Sequence, residues 1–273
     1  MLAHEIAPTW RARGWDVVLA ARASCDVEDA ASIERCLDAR PLAAIVNCAA
    51  YTNVEQAEDE PHRAFAVNEA GAGNLARAAA ARGIALLHVS TDYVFDGQRT
   101  TPYPETASPA PLGVYGRSKR SGELAVADAG GHVWVVRSGE LYGDKGPNFF
   151  RSVLGAARAH KPLRVVDDQI VSPTWTRELA VQMAVLAESD APAGTYHATA
   201  AGQTSWFEAA TFALRCAGLS NPIQPVATRD YGSKVPRPLY TALEPAALEA
   251  RGLYCMRAWD VALAEWLGVS DVA

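Results

Sequence analysis

The residues whose types and spacing most clearly suggest catalysis are Tyr115 and Lys119, four positions apart in the segment 114–119 (VYGRSK). That spacing places both side chains on one face of a helix. An ammonium group beside a phenol favours the phenolate, so it should lower a tyrosine pKa that is ordinarily about 10. The pair suits a proton donor for carbonyl reduction, where hydride reaches carbon and a proton must reach oxygen. An exposed amphipathic turn can have the same spacing, so the pair alone does not establish a catalytic site. The segments upstream provide further evidence.

Two upstream segments lie at the carboxyl ends of predicted strands. Residues 46–51 (VNCAAY) end one strand, and the small Ala49 and Ala50 would let a flat cofactor lie against the backbone. Residues 88–95 (HVSTDYVF) end the next strand, and their hydroxyls would face a cleft. In an open parallel sheet, ligands bind beyond the carboxyl ends of the strands. The alternative for both segments is an ordinary strand-to-loop junction with capping and turn chemistry.

The elements that must position these residues alternate along the first half of the chain. The apolar runs and stop signals predict strands at 15–20, 43–48, 84–90 and 132–137, and helices at 27–39, 60–82 and 115–129. Asp26 or Ser24 would cap the first of these helices. Alternation of strands and helices favours a parallel α/β sheet. The second half predicts helices at 148–160, 176–189 and 205–217, an extended segment at 163–166 and a strand at 195–198, which fits a smaller lobe over the mouth of the sheet.

Composition excludes several classes of function. The chain has 273 residues and a net charge of -6, without a basic patch, so nucleic-acid binding is disfavoured. No apolar run approaches the roughly 20 residues of a membrane span. Five scattered cysteines without a Cys-x-x-Cys pair favour a reducing cytoplasm. No His, Cys and carboxylate cluster has metal-ligand spacing, so no metal is predicted.

Taken together, these segments resemble the extended short-chain dehydrogenase/reductases and, within them, the dTDP-4-dehydrorhamnose reductase family. The likeness runs over most of the chain, and the stretches that carry it are 47–58, 66–68, 90–95, 111–119, 148–149, 168–169 and 172–174. The resemblance implies a Rossmann-like doubly wound parallel sheet with a smaller C-terminal substrate lobe. Residues 1–140 would form the NAD(P)-binding domain, and residues 141–273 would form mainly the substrate lobe, intertwined with the first.

The resemblance also implies roles for individual residues. Tyr115 would be the general acid, Lys119 would lower its pKa and bind the nicotinamide ribose, and Thr91 would orient the sugar C4 carbonyl. The remaining cofactor-binding positions would be Ala49, Ala50, Tyr51, Asn68, Ser90 and Arg22. The substrate-binding positions would be Asp92, Tyr93, Glu140, Asn148 and Arg237. Two of these have structural alternatives, since Asn68 lies inside a predicted helix and Arg22 suits an exposed surface equally well.

The implied activity is the reduction, with NADPH or NADH, of the C4 ketone of a dTDP-linked 6-deoxyhexose. The simplest substrate is dTDP-4-dehydro-L-rhamnose, which would place the enzyme in cytoplasmic dTDP-rhamnose biosynthesis. Arg22 favours NADPH, because a cation after the second strand can accept the adenosine 2′-phosphate. A homodimer is left open. Two other functions also stay open: a sister 4-ketoreductase of another deoxysugar, and a non-catalytic reductase-like regulatory subunit of the kind that accompanies methionine adenosyltransferase.

The sequence departs from the family pattern in three places. Residues 1–6 match the helix that follows the glycine-rich turn, so the first strand and that turn are missing from this chain, and we expect the natural protein to begin upstream. Gly113 replaces an asparagine, and Glu140 stands where the family usually has an aromatic residue against the sugar. Both changes favour a different hexose. Trp175 or Tyr142 would be a substitute aromatic, although both fit the core better.

Overall fold

The computed structural model describes residues 1–39 and 41–269. The helices are α1 (Leu2–Ala12), α2 (Ala30–Asp38), α3 (Val54–Ala57), α4 (Pro61–Phe65), α5 (Ala72–Ala81), α6 (Val114–Asp128), α7 (Phe149–Arg158), α8 (Thr176–Ala187), α9 (Trp206–Cys216), α10 (Thr228–Tyr231), α11 (Ala246–Glu249) and α12 (Trp259–Trp266). The strands are β1 (Ala44–Asn47), β2 (Ala85–Thr91), β3 (Val133–Ser138), β4 (Leu141–Tyr142), β5 (Leu163–Val166), β6 (Ile170–Val171), β7 (Thr174–Trp175), β8 (Gly194–His197), β9 (Thr204–Ser205) and β10 (Ile223–Val226). None of these helices is long and apolar enough to extend across a bilayer.

The main sheet has the strand order β1-β2-β3-β8, and all of its neighbours are parallel. Successive side chains of its strands lie on opposite faces of the sheet and pack in two different cores. Leu86 packs in the cluster formed with α2 and α5, whereas Leu87 packs in the cluster formed with α1 and α8. Both faces of the sheet are therefore covered by helices, which explains the continuous apolar runs of its strands. The predicted doubly wound α/β architecture is confirmed.

The second half of the chain builds a smaller lobe and also returns to the main sheet. In the lobe, α7, α9 and α12 enclose an aromatic core that includes Tyr142 and Trp175, as the sequence favoured. Short strand pairs flank this core: β5 with β10, β4 with β7, and β6 with β9. β8 leaves the lobe to pair with β3. The two halves are interleaved in this way, and the division at residue 140 stays a prediction.

The predicted strand at 15–20 is wrong. No strand within the described residues pairs with this segment or with the free side of β1. Val18 is 45% exposed and Leu19 is 54% exposed. A strand is defined by its ladder of hydrogen bonds, and an apolar run alone cannot supply the partner.

The N-cap predicted for α2 is also wrong. The helix begins at Ala30, and the side chain of Asp29 accepts a hydrogen bond from the Ala31 amide at 2.9 Å. Asp26 instead accepts the Glu28 amide at 3.0 Å and pairs with Arg22 at 3.1 Å. Several acidic and hydroxylic residues stand before this helix, so the cap could not be chosen from residue type.

The helical stretch predicted at 60–82 is present but is interrupted by a π-helical turn at Ala66–Gly71. Such turns are rare and occur frequently at functional sites. Here the wide turn contains Asn68, which is 1% exposed. The turn brings this side chain from the helix to the loop that follows β1.

Candidate active site

The packed face of α6 carries Tyr115, Lys119 and Glu123 at successive intervals of four residues. Lys119 is buried, and its Nζ donates to the Val89 carbonyl on β2 at 2.7 Å. Gly122, on the same helix, lies so close to the Asn68 carbonyl that a Cβ at this position would overlap it. The helix therefore lies unusually close to its neighbours, and this contact fixes the depth of the Tyr115 side chain.

Glu123 ties the same helix to two strands through a buried ion pair. Arg137 on β3 donates to both Glu123 carboxylate oxygens, each at 2.8 Å, and the two side chains are 3% and 2% exposed. Ser90 on β2 donates to Oε1 at 2.6 Å. Burial opposes ionisation of Glu123, but its hydrogen bonds from Arg137, Ser90 and Arg120 outweigh that effect and lower its pKa. The network holds α6 against β2 and β3.

Asn68 holds the loop after β1 against α6. Its Oδ1 accepts the Tyr51 amide at 2.8 Å, and its Nδ2 donates to the Tyr51 carbonyl at 3.0 Å. The same Nδ2 lies 2.9 Å from the hydroxyl of Ser118, one residue before Lys119. This double contact fixes the backbone of the segment that contains Ala49 and Ala50. A planar ligand between that segment and Lys119 would meet a rigid surface.

The pKa of Tyr115 differs from the expectation. Burial raises the pKa of this half-buried phenol to about 12, the Thr91 hydroxyl opposes the shift, and the Asp92 and Glu140 charges add to it. Burial also lowers the pKa of Lys119 to about 8, against the charge of Glu123. The predicted lowering of the Tyr115 pKa by Lys119 is therefore wrong for this geometry, because desolvation dominates.

Thr91 ends β2 beside the phenol. Its Oγ1 donates to Asp92 Oδ1 at 3.0 Å and accepts the Tyr93 amide at 3.2 Å, so it caps the short turn Asp92–Val94. The Tyr93 ring then packs edge-on against the Tyr115 ring, with centroids 5.7 Å apart. The hydroxyl-rich segment at 90–93 and the tyrosine of α6 thus meet at the carboxyl end of the sheet, as the sequence predicted.

A cavity of about 510 Å³ opens beside Tyr93, between the sheet and the smaller lobe. Arg237 donates to the Tyr93 hydroxyl at 3.2 Å and pairs with Glu55 at 2.5 Å. The wall consists of charged, polar and aromatic side chains: Glu55, Tyr93, Glu140, Phe149, Arg164, Val165, Val166, Gln169, Trp206, Thr228, Tyr231, Gly232, Ser233, Lys234 and Arg237. Its three cations match a diphosphate, and its aromatic rings match a base or a sugar.

Glu140 lines this cavity, and the buried Asp92 carboxylate lies behind it, against Gly139. Burial raises the pKa of Asp92 to about 6, although hydrogen bonds from neighbouring hydroxyls and amides oppose the shift. Burial and the Asp92 charge raise the pKa of Glu140 well above its ordinary value, while Arg237 opposes them. The two groups therefore cannot both be ionised easily at neutral pH.

Other predicted site residues lie in structural contacts. Arg22 is exposed and pairs with Asp26 and Glu28. Asn148 caps α7 through the Arg151 amide at 3.0 Å and donates to the Gly143 carbonyl at 3.1 Å. Ser90 is buried and donates to Glu123. In the described residues none of the three lines the cavity.

The sequence interpretation missed several residues around the site. Glu123 could have been found, because it continues the four-residue spacing of Tyr115 and Lys119. Glu55, Arg164 and Lys234 carried no such signal, since a charged residue on a short helix, a strand or a loop is ordinarily a solvated surface group. Their common cavity arises from contacts such as Glu55 with Arg237, 182 positions apart.

The residues at the site fit the nicotinamide end of a dinucleotide. Lys119 places a buried ammonium with a carbonyl partner within electrostatic reach of Cys48, the residue before the rigid 49–51 segment, where the small Ala49 is exposed. The pyrophosphate end of a dinucleotide ordinarily lies on a glycine-rich turn. Residues 1–39 and 41–269 contain no glycine-rich turn between a strand and α1, so the fit within the described residues is to the nicotinamide end.

Comparison with known proteins places this geometry in context. A family profile described as "RmlD substrate binding domain" matches residues 1–271. The chain is similar to dTDP-4-dehydrorhamnose reductase of Streptomyces griseus, at 39% identity over 97% of this chain and 89% of the relative. It is also similar to dTDP-4-keto-6-deoxy-D-glucose reductase of Streptomyces niveus, at 37% identity over 97% of this chain and 92% of the relative. Among solved structures, dTDP-4-dehydrorhamnose reductase of Bacillus anthracis in complex with NADP superimposes with a TM-score of 0.94 at 32% identity, over 97% of this chain and 94% of that one.

Proposed function

Because this chain belongs to the RmlD substrate binding domain family, that of the dTDP-4-dehydrorhamnose reductases within the extended short-chain dehydrogenase/reductases, we propose that it reduces the C4 ketone of a dTDP-linked 6-deoxyhexose. The favoured substrate is dTDP-4-dehydro-L-rhamnose, and the product is dTDP-L-rhamnose. One observation carries the proposal: Tyr115 and Lys119 share the packed face of α6 and lie at the carboxyl end of β2, next to a cavity lined by three cations.

The sugar nucleotide would lie along this cavity. Arg164, Lys234 and Arg237 are placed for the diphosphate, which requires cationic donors. Phe149, Trp206 and Tyr231 offer flat apolar surface for the thymine ring. This arrangement puts the sugar at the end of the cavity where Tyr93 meets Tyr115. Residues 141–273 would then bind mainly the nucleotide sugar, and residues 1–140 mainly the dinucleotide.

Tyr115 would act as the general acid. A pKa of about 12 keeps the phenol protonated at neutral pH, so its proton is available when the ketone oxygen gains charge. The Thr91 hydroxyl, which donates to Asp92 Oδ1 here, would favour the phenolate that remains by turning its single hydrogen to it. The buried Lys119 ammonium contributes a positive charge on the same helix face and would bind the ribose of the cofactor. NADPH or NADH, when bound, supplies the hydride.

The similar reductase of Bacillus anthracis is in complex with NADP, which supports a nicotinamide cofactor for this chain. The exposed Arg22 is available to a 2′-phosphate only if it leaves Asp26 and Glu28. We favour NADPH on this cation. We propose a reducing cytoplasm as the location, because the five cysteines are scattered and form no Cys-x-x-Cys pair.

The decisive assay mixes the protein, NADPH and dTDP-4-dehydro-L-rhamnose and follows nicotinamide absorbance. The proposal predicts loss of the NADPH absorbance and formation of an equal amount of dTDP-L-rhamnose. A non-catalytic regulatory subunit predicts no change in absorbance with this sugar or with any other dTDP-4-keto-6-deoxyhexose.

Glu140 specifically favours a second candidate, a sister 4-ketoreductase of another deoxysugar. A carboxyl group at this position cannot stack on a sugar face as an aromatic ring does, but it can form hydrogen bonds with ring substituents. The same assay with epimeric and deoxygenated dTDP-4-keto sugars decides between the two. A higher kcat/KM for one of these than for dTDP-4-dehydro-L-rhamnose would favour the sister enzyme.

A further inference from the structure

Glu140 adopts a backbone conformation that its residue type disfavours. Its φ of 52° lies in the left-handed region, where a side chain crowds the following carbonyl. Within the described residues, His160 is the other non-glycine residue with positive φ, and it occupies the ordinary left-handed position after the end of α7. Glu140 ends no helix, since it lies between β3 and β4. Strain of this kind persists where the surroundings impose it, and it concentrates at binding and catalytic sites.

The surroundings of Glu140 bring Asp92 behind it. Gly139 packs so closely on the Asp92 carboxylate that a Cβ at residue 139 would overlap it. Asp92 is 2% exposed and its Oδ1 accepts the Thr91 hydroxyl. Its Oδ2 and the Thr241 hydroxyl, which acts to lower the Asp92 pKa, are both buried without a hydrogen bond of ordinary geometry in the described part of the chain. A buried carboxylate oxygen without a donor is costly. The charge of Asp92 also acts on the Glu140 carboxyl, so ionisation of either group disfavours ionisation of the other.

The groups that face Glu140 provide no free cation. Arg237 is the positive group that acts on it, and this guanidinium is already engaged by Glu55 and the Tyr93 hydroxyl. Tyr93 and Tyr115 contribute neutral phenols. When only one of Asp92 and Glu140 is ionised, the pair carries one negative charge, and the Glu140 carboxyl, which lines the cavity, offers acceptor oxygens to a ligand there.

We propose that Glu140, supported from behind by Asp92, is a specificity-determining residue that accepts a hydrogen bond from a substituent on the sugar ring, at the carbon next to the ketone. The inference rests on the proposed function, because it assumes that the sugar lies at this end of the cavity. The sugar substituent must be a hydrogen-bond donor, and either a hydroxyl group or an amino group meets this requirement. The strained backbone of Glu140 is then the cost of directing its carboxyl group to that donor.

Calorimetric binding tests this without turnover. Three dTDP-linked 6-deoxyhexoses serve as probes, with a hydroxyl, an amino group or hydrogen at C3. Wild-type protein should bind the hydroxyl probe roughly 10- to 100-fold more tightly than the 3-deoxy probe, the range expected for a hydrogen bond to a charged group. Glu140→Leu should bind both probes equally. Glu140→Gln should retain much of the preference, since its amide oxygen still accepts.

The amino probe shows whether Glu140 selects a charged ammonium group or a neutral donor on the sugar. Tighter binding of this probe with release of a proton to the buffer indicates selection for an ammonium group. Binding no tighter than the hydroxyl probe indicates selection for a neutral donor. The inference is overturned if wild type binds hydroxyl and 3-deoxy probes with the same Kd, or if Glu140→Leu weakens both probes by one common factor.

Glu140→Gly guards against a folding artefact. Glycine accepts positive φ freely, so this variant should have a higher Tm than wild type while losing discrimination between the two neutral probes. A Glu140→Gly protein that still discriminates would contradict the assignment. A wild-type protein that discriminates but consumes no NADPH would refute the proposed reductase activity and leave the Glu140 assignment intact.

Discussion

The packed face of α6 and the wall of the neighbouring cavity both carry ion pairs, but the two regions keep their charges in different environments. Glu123 and Arg137 are 2% and 3% exposed and are joined by two hydrogen bonds. Glu55 and Arg237 are 42% and 21% exposed and lie at the edge of open space. A buried pair cannot release either partner without a large desolvation penalty, whereas a half-exposed pair can exchange partners with solvent or ligand. Under the proposed function, the first region would position the proton donor, and the second would bind substrate.

The largest expected difference between the regions is in stability. Glu123→Leu leaves Arg137 buried without its carboxylate, so it should lower the free energy of unfolding by about 3–5 kcal/mol. Urea denaturation measures this change. The control is the double variant Glu123→Leu/Arg137→Met, which removes both charges and should recover most of the loss. A single-variant loss below about 1 kcal/mol would show that the pair does not hold α6 in place.

The second prediction concerns the pH dependence of catalysis. The pKa of Lys119 is lowered to about 8, so the ammonium is present below that pH and is lost above it. The kcat/KM profile should therefore fall above a pH of about 8, since this profile reports groups of the free enzyme. Lys119→Arg should be slower but should lack this limb, because arginine stays protonated. A limb that persists in Lys119→Arg would assign the titration to another group.

The smallest stability effect is expected at the cavity wall. Arg237→Met removes a half-exposed ion pair and should change the free energy of unfolding by at most about 1 kcal/mol. Its Kd for dTDP-linked sugars should nevertheless rise about tenfold or more, because a charged hydrogen bond to the ligand is lost. Denaturation and calorimetry on one preparation give both values. A large loss of stability with unchanged Kd would reverse the roles assigned to the two regions.

The same two regions differ in how far sequence could predict them. The α6 face follows from local rules: the helix at 115–129, the strand before it and the four-residue spacing of Tyr115 and Lys119 all lie within a short stretch. Glu123 continues that spacing, so the same rule extends to it. Local rules do not give the depth of burial. Proximity to Lys119 alone predicts a lowered pKa for Tyr115, whereas burial raises this pKa to about 12.

The cavity wall depends on distant contacts and on backbone geometry. Glu55 meets Arg237 across 182 positions, and no pattern in either segment indicates the other. The positive φ of Glu140 is equally unpredictable, since a glutamate is not a residue that marks left-handed backbone. The π-helical turn at Ala66–Gly71 has the composition of an ordinary alanine-rich helix. The segment 15–20 failed as a strand for the related reason that pairing depends on a partner elsewhere.

The most direct test of the central claim compares wild type with Tyr115→Phe in the reduction of dTDP-4-dehydro-L-rhamnose by NADPH. Removing only the hydroxyl should lower kcat by about 10²- to 10⁴-fold, the range of general acid catalysis. The Kd for dTDP-L-rhamnose should change little, since the ring still packs against Tyr93. A variant that turns over at nearly the wild-type rate would contradict the assignment of Tyr115 as the proton donor.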